Sequence, residues 1–161
     1  MLFRSRVYAG DLQGNLWAFD LSSDNQDDWA VVHGGPLFSG KADQPITVRP
    51  EVVRHRAMVA KGNQPNLMIF FGTGQYLVAG DNTSRDVQTF YGVWDRADGG
   101  LHRSDLVEQV FLKGKHADGR ITDPDRWQNL KVDYKQAGSG DRYGWYLDLP
   151  DAGERVVTDA R

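Results

Sequence analysis

The sequence contains no cysteine. Disulfides and thiolate metal sites are therefore excluded, but the compartment stays open, because a cysteine-free chain suits the cytosol and the exported state alike. Positive charge is not in excess either. The 19 Lys and Arg against 22 Asp and Glu leave a net charge of −3, which argues against nucleic acid as a main partner, since phosphate contacts need a basic surplus. No stretch approaches the roughly 18 consecutive apolar residues that cross a bilayer as a helix, so no membrane insertion is expected. No basic segment followed by an apolar one opens the chain, and no signal peptide is visible.

What is present is an ordinary globular balance, 40% hydrophobic and 25% charged over 161 residues, enough for one domain with a core of its own. The 18 glycines and the wealth of Phe, Tyr and Trp favour turns and strands over long helices. Val7–Ala9 reads as a strand and Gly10-Asp11 as a turn or bulge. Asn15–Asp20 alternates, with Leu16 and Ala18 on one face and Asn15, Trp17 and Phe19 on the other. Gly14 is free to take positive φ between the two strands. Further strands are expected at Trp29–Val32, Ile46–Val53, Asn66–Phe71, Thr89–Trp94, Tyr143–Leu149 and Glu154–Thr158. Gln75–Val78 reads as the second half of a strand–Gly–strand unit begun at Leu67. Pro50 has no N–H for a ladder, so it belongs at an edge, at a bulge or between two strands.

Leu106–Leu112 suits a strand or a helical turn equally, and Asp123-Pro124-Asp125-Arg126-Trp127 suits a short capped helix. The total is about eight or nine short strands and no long helix, which indicates an all-β sandwich, barrel or propeller. Residues 1–5 fit no element, and Leu2-Phe3-Arg4-Ser5 matches the translation of a common sequencing adapter. They are expected to be a non-native leader, with 6–161 forming part of one domain. The chain opens directly on a hairpin and stops beside a strand, as part of a larger ring would.

Several short blocks occur in a telling order: VYAGDLQGNLWAFDL (Val7–Leu21), QPITVRPEVVRH (Gln44–His55), MIFFGTGQYL (Met68–Leu77), QTFYGVWD (Gln88–Asp95), GWYLDLP (Gly144–Pro150) and GERVVTDA (Gly153–Ala160). The first looks like a quinoprotein-type propeller blade, and the series resembles the C-terminal β-propeller of the PilC/PilY type IV pilus-associated tip proteins. The resemblance implies a partial propeller with long loops, about three blades or an incomplete arc. It also implies a non-enzymatic role in a secreted pilus biogenesis and tip adhesin protein, the propeller supporting assembly against retraction. Minor pilins or other pilus tip components would be partners, and host or surface ligands would be met by an N-terminal half outside this chain. The implied location is the extracellular pilus tip or the outer-membrane surface, reached through the periplasm. The family's Ca²⁺ loop is expected upstream of residue 6, so no cofactor is expected within this chain.

The residues themselves nominate no catalytic, cofactor-binding or metal-binding side chain. Calcium needs six to eight oxygens in a tight loop. Asp24-Asn25-Gln26-Asp27-Asp28 lacks the glycine and the alternating spacing, Asp123-x-Asp125 alternates once, and Asp98-Gly99 and Asp118-Gly119 are turn dipeptides. His33, His55, His102 and His116 show no ligand spacing and read as loop histidines. Ser22, Ser39, Ser84, Ser104 and Ser139 lack a nucleophile context.

Two alternatives stand beside the pilus reading. A quinone (PQQ)-dependent dehydrogenase would use a Trp platform, and Trp17, Trp29, Trp94, Trp127 and Trp145 are available, but the Gly-Lys-Glu-x-Trp docking motif is not matched at Gly14–Trp17. A generic propeller scaffold for protein binding needs no special residues. Arg49, Arg54, His55, Arg56 and Lys61 make a mildly basic segment, best read as a solvated strand edge. Structural roles are expected for Asp11, Gly14 and Gly72 in turns, and for Trp17, Phe19, Phe70, Phe71, Tyr91, Trp94, Trp145 and Tyr146 between sheets.

Overall fold

The computed structural model describes residues 5–56, 64–97, 99–109, 112–113, 120–121 and 142–159. The opening hairpin forms as its alternation dictates. Strand β1 (Arg6–Gly10) pairs antiparallel with β2 (Asn15–Asp20), in a register that sets Tyr8 opposite Ala18. Tyr8, Leu16 and Ala18 are buried on one face, as period two requires. Two short strands pair with the free side of β2, one at each end. These are β3 (Ala30–Val31), opposite Phe19 and Asp20, and β4 (Phe38–Ser39), opposite Leu16 and Asn15. β4 then pairs in parallel with β8 (Leu101–His102).

The second sheet is an antiparallel meander. β5 (Glu51–Arg54), β6 (Leu67–Gly72), β7 (Thr89–Asp95) and β12 (Gly144–Asp148) follow in spatial order, and β9 (Val107–Gln109) lies parallel outside β12. A separate two-strand ladder joins β10 (Leu112–Lys113) and β11 (Arg120–Ile121). Helical structure among the described residues is confined to 3₁₀ turns of three to five residues. Pro50 stands directly before β5, an edge strand of this sheet, where its missing N–H breaks no ladder bond.

The core lies between the two sheets. From the first come Tyr8, Leu16, Ala18, Phe38 and Leu101; from the second, Ile69, Phe71, Tyr91 and Val93; Leu37, Ile46 and Leu106 close the sides. Phe38, Phe71 and Tyr91 form its centre. The Phe38 ring centroid is 5.0 Å from that of Tyr91 and 6.0 Å from that of Phe71, and Phe71 stacks on Tyr91 at 5.1 Å. Burying each such ring stabilises the fold by about 1.5–3 kcal/mol. The opposite face of the second sheet is apolar too. Phe70 and Phe90 flank Trp145 at 6.0 and 5.9 Å, over Gly92, where a Cβ would stand only 2.7 Å from the indole.

Several expectations need correction. Among the described residues the strands number twelve rather than eight or nine, because two-residue strands such as β4 and β8 carry no readable period. They assemble into two five-stranded sheets and one small ladder that do not close on themselves, in keeping with an incomplete propeller arc. Gln75–Val78 is not a strand, because the Asp81 carboxylate takes the N–H groups of Leu77 and Val78 and curls the segment into a loop. Glu154–Thr158 is not a strand either, although the Pro150–Gly153 turn does form, with Gly153 at φ +81°. The segment instead crosses Thr73, where Val156 N–H donates to the Thr73 carbonyl at 3.0 Å.

Gly72 does not shape a turn. It ends β6 where a Cβ would collide with the Val156 side chain, so its role is close approach. Trp17 and Phe19 lie half-buried on the face of β2 away from the core. The expected leader residues 1–4 and the expected helix at Asp123–Trp127 lie outside the described residues, as do Lys61, Asp98, His116, Asp118-Gly119 and Ser139.

Gly14 sits at φ +80°, with the carbonyls of Lys41 and Gln44 where a side chain would go. Gly14→Val should therefore cost about 1–3 kcal/mol of backbone strain before the steric clash is counted. Urea unfolding followed by circular dichroism measures it, and an unchanged midpoint would contradict the turn described here.

Candidate functional site

The turn between β1 and β2 is organised by one carboxylate. Asp11 accepts from the Gln13 and Asn15 N–H groups at 2.9 and 2.8 Å, from the Asn15 side-chain amide at 2.9 Å, and from the Trp17 indole at 2.8 Å. Burial pushes its carboxyl up, but the Trp17 and Asn15 bonds and the backbone N–H groups outweigh this and hold it below the usual carboxylate range. Its own carbonyl accepts from Ile46 N–H at 2.9 Å, which fastens the hairpin to the 40–46 loop.

Two polar clusters tie the sheets together. In the first, Arg6 and Tyr8 of β1 both reach Asp95 at the end of β7. The Arg6 guanidinium is 2.7 Å from Oδ2, and the Tyr8 hydroxyl donates to the same atom at 2.7 Å. Asp95 is fully buried and the Arg6 side chain is only 6% exposed. Burial, with the Asp95 charge beside it, drives the Tyr8 hydroxyl far above its ordinary pKa, so Tyr8 stays a neutral donor.

In the second cluster, Arg103, just after β8, reaches across to β12 and β7. Its guanidinium is 2.5 Å from Asp148, 3.2 Å from the Thr89 and Tyr91 hydroxyls, and 3.7 Å from the Tyr146 ring centroid. Gln44 completes the cluster, accepting from Tyr91 at 2.7 Å and donating to Thr89 at 2.8 Å. Burial raises the Asp148 pKa, yet the bonds from Arg103 and Thr89 prevail and hold it below the usual range.

Next to Gln44 and Thr89 of the second cluster opens a cleft of about 270 Å³, lined by Leu12, Asp43, Gln75, Asp81, Asp86, Gln88 and Arg155 among others. One wall is the loop from Gln75 to Ser84. Asp81 braces it from within, accepting from Leu77 N–H at 2.7 Å, Val78 N–H at 2.9 Å and the Gln75 amide at 2.8 Å; these bonds hold its carboxyl below the usual range. Arg155 braces it from outside, donating to the carbonyls of Gln75 at 3.0 Å, Ser84 at 3.2 Å and Asp81.

The family model for the PilY1 β-propeller domain matches residues 4–111. The chain belongs to this family. A type IV pilus biogenesis factor PilY1 homolog of Xylella fastidiosa is 32% identical over 153 residues, covering 92% of this chain and 10% of the relative. The type IV pilus biogenesis factor PilY1 of Pseudomonas aeruginosa PAO1 is 35% identical over 180 residues, covering 89% of this chain and 15% of the relative. The chain thus spans a small part of the length of the curated relatives it matches. No solved structure matches it.

Within this PilY1-type fold the residues expected to be structural fall into separate groups. Asp11 and Gly14 shape the hairpin, as anticipated. Phe71 and Tyr91 centre the core with Tyr146 packed against it, whereas Phe70 and Trp145 cover the opposite face. Trp94 is buried, its indole donating to Asn66 at 2.8 Å. His55 lies just after β5, outside any strand, but it is not solvated: it is buried against the Trp94 ring at 5.0 Å, and burial lowers its pKa. His33 and His102 are exposed. Of the Trp residues considered as a quinone platform, Trp17 is bonded to Asp11, Trp29 is exposed, Trp145 covers Gly92, and Trp127 lies outside the described residues.

Asn25 caps the short 3₁₀ turn Gln26–Asp28, so that acidic loop has a local structural role. Arg54 and Arg56 are exposed on or beside the β5 edge, and Arg49 faces Asp159 at 3.8 Å. Among the described residues no group of three or more His, Asp or Glu could hold a metal ion, and the Asp11 oxygens are already occupied by N–H donors. Sequence reasoning missed Arg6, Arg103, Asp148, Gln44, Asp81 and Arg155. The available signal was Arg6 sharing the inward face of β1 with Tyr8, an alternation that calls for a buried anion.

Arg6→Met leaves the Asp95 carboxylate buried without its cation and should cost about 3–5 kcal/mol, read from the urea midpoint; a loss under about 1 kcal/mol would demote the pair to a surface contact. The lowered folded pKa of Asp148 means that its contribution is complete above the unfolded value near 4 and is lost as pH falls through the folded value. The stability difference between wild type and Asp148→Asn should therefore shrink below about pH 4. A difference that stays constant down to acid unfolding would contradict the assignment.

Proposed function

We propose that this chain is a structural, non-enzymatic part of the propeller of a type IV pilus biogenesis factor, and that the propeller supports pilus assembly against retraction. The observation that carries the reading is the second sheet. It is apolar on both faces, with Ile69, Phe71, Tyr91 and Val93 on one and Phe70, Phe90 and Trp145 on the other. A sheet covered on both sides is what a ring of packed blades requires. The non-enzymatic part is supported by the buried charged groups, which bind one another across the sheets. Pilus tip components, minor pilins among them, are the proposed partners, at the pilus tip or the outer-membrane surface. Adhesion to host or other surfaces, and the family's calcium loop before Arg6, are proposed for the full-length protein.

In the bacterium that encodes it, deleting the gene for the full-length protein should abolish surface pili, counted by electron microscopy, and twitching. Removing the retraction motor as well should restore the pili without twitching. Pili that stay absent in the double mutant would overturn the anti-retraction role, and pili unaffected by the first deletion would overturn the biogenesis role. Dye reduction by the full-length protein loaded with pyrroloquinoline quinone and calcium would overturn the non-enzymatic part.

A further inference from the structure

The loop that walls the cleft carries Tyr76, Leu77 and Val78, each 65% exposed. Single exposed apolar residues are common on any surface, but three in succession at one tip are not. The tip is also held in place. Asp81 takes the N–H groups of Leu77 and Val78, and Arg155 takes three carbonyls of the same loop and lies 5.8 Å from the Tyr76 ring. The apolar side chains are thus presented on a braced backbone, so a partner would meet them with little further ordering to impose. Leu12, 60% exposed, lines the same cleft, and Val87, 47% exposed, lies between two residues that line it.

The floor and rim of this cleft are acidic. Asp43, Asp81 and Asp86 line it against the single guanidinium of Arg155, and Asp43 and Asp86 are exposed. Gln88 adds a second sign of an incoming donor. It is 5% exposed and gives its Nε2 to the Asp43 carbonyl at 3.1 Å, while its Oε1 has no donor among the described residues. An unmet buried acceptor is costly and invites an N–H.

We propose that the Tyr76–Val78 ridge and the adjoining acidic cleft dock a protein segment that presents an apolar side chain next to a lysine or arginine. The apolar side chain would lie against the ridge, and the cation would enter the cleft near Asp43, Asp86 and Gln88. This goes beyond the pilus-biogenesis reading and does not depend on it.

The test probes the full-length protein on an array of nine-residue peptides, with Leu, Phe, Val or Ser at the centre and Lys, Arg, Glu or Ser as flanks. Binding should concentrate on apolar centres with Lys or Arg flanks. It should fall about tenfold or more in Leu77→Ser and in the doubly substituted Asp43→Lys, Asp86→Lys protein. All three positions are exposed, so thermal melts of these variants should match wild type; should Leu77→Ser melt early, Tyr76→Ser replaces it. Binding that ignores the flanks, ignores the apolar centre, survives both variants or is absent altogether overturns the proposal. So does a change of oligomeric state in Leu77→Ser by light scattering, which would make the ridge a contact between copies of this protein.

Discussion

A carboxylate sealed from water must be given cations and donors or lose its charge, and Asp95 is sealed completely. Its partners, Arg6 and Tyr8, come from the other sheet. The two sheets can therefore meet in one relative position only: sliding β1 by one residue would turn Arg6 and Tyr8 outward and leave Asp95 unmatched. The Arg103 cluster repeats the constraint elsewhere on the seam, through Asp148, Thr89, Tyr91 and Gln44. Phe38, Phe71 and Tyr91 form the centre of the core between the same two sheets. The aromatic rings supply the bulk of the attraction between the sheets, and the polar groups supply its register.

The hairpin is legible in the sequence because β2 alternates, and the strands around Phe71, Trp94 and Trp145 are legible because each is a run of five or more mainly apolar and aromatic residues between turn signals. β3 falls inside the expected strand Trp29–Val32, whereas the short strands β4 and β8 are not legible, since two residues have no period. Tyr76-Leu77-Val78 and Val156-Val157 have strand-like composition, yet the Asp81 carboxylate curls the first and a backbone bond to the distant Thr73 positions the second, with Arg155 reaching Gln75, 80 positions away. The polar clusters were hidden for the same reason, because Arg6 and Asp95 are 89 positions apart. The role of the Asp11 carboxylate was readable because each of its donors lies within six positions.

Membership of the PilY1 β-propeller family gives these features a common purpose. A propeller blade is an antiparallel meander apolar on both faces, and the β5–β6–β7–β12 sheet has that pattern. The buried ions favour a fixed angle between neighbouring sheets over the greatest stability, since well-packed apolar residues in their place are often as stable or more so. A fixed angle matters in a ring, where an error at one junction is inherited by every later one. The braced loop beside the cleft sits outside this seam, where exposed apolar residues do not disturb the register of the sheets.

β12 lies between β7 and β9, although it is the last of the three in the chain. As the polypeptide emerges from the ribosome or threads through an export pore, β9 therefore appears before the strand that joins it to the sheet. The sheet is completed by insertion rather than by addition at its rim, and the second polar cluster cannot close until Asp148 arrives to meet Arg103. Such non-local pairing is slow compared with hairpin formation. Until it happens, β7 offers an unpaired edge on which β12 must compete with any other extended strand, so the chain's vulnerability to mispairing is concentrated in the interval between the emergence of β7 and that of β12.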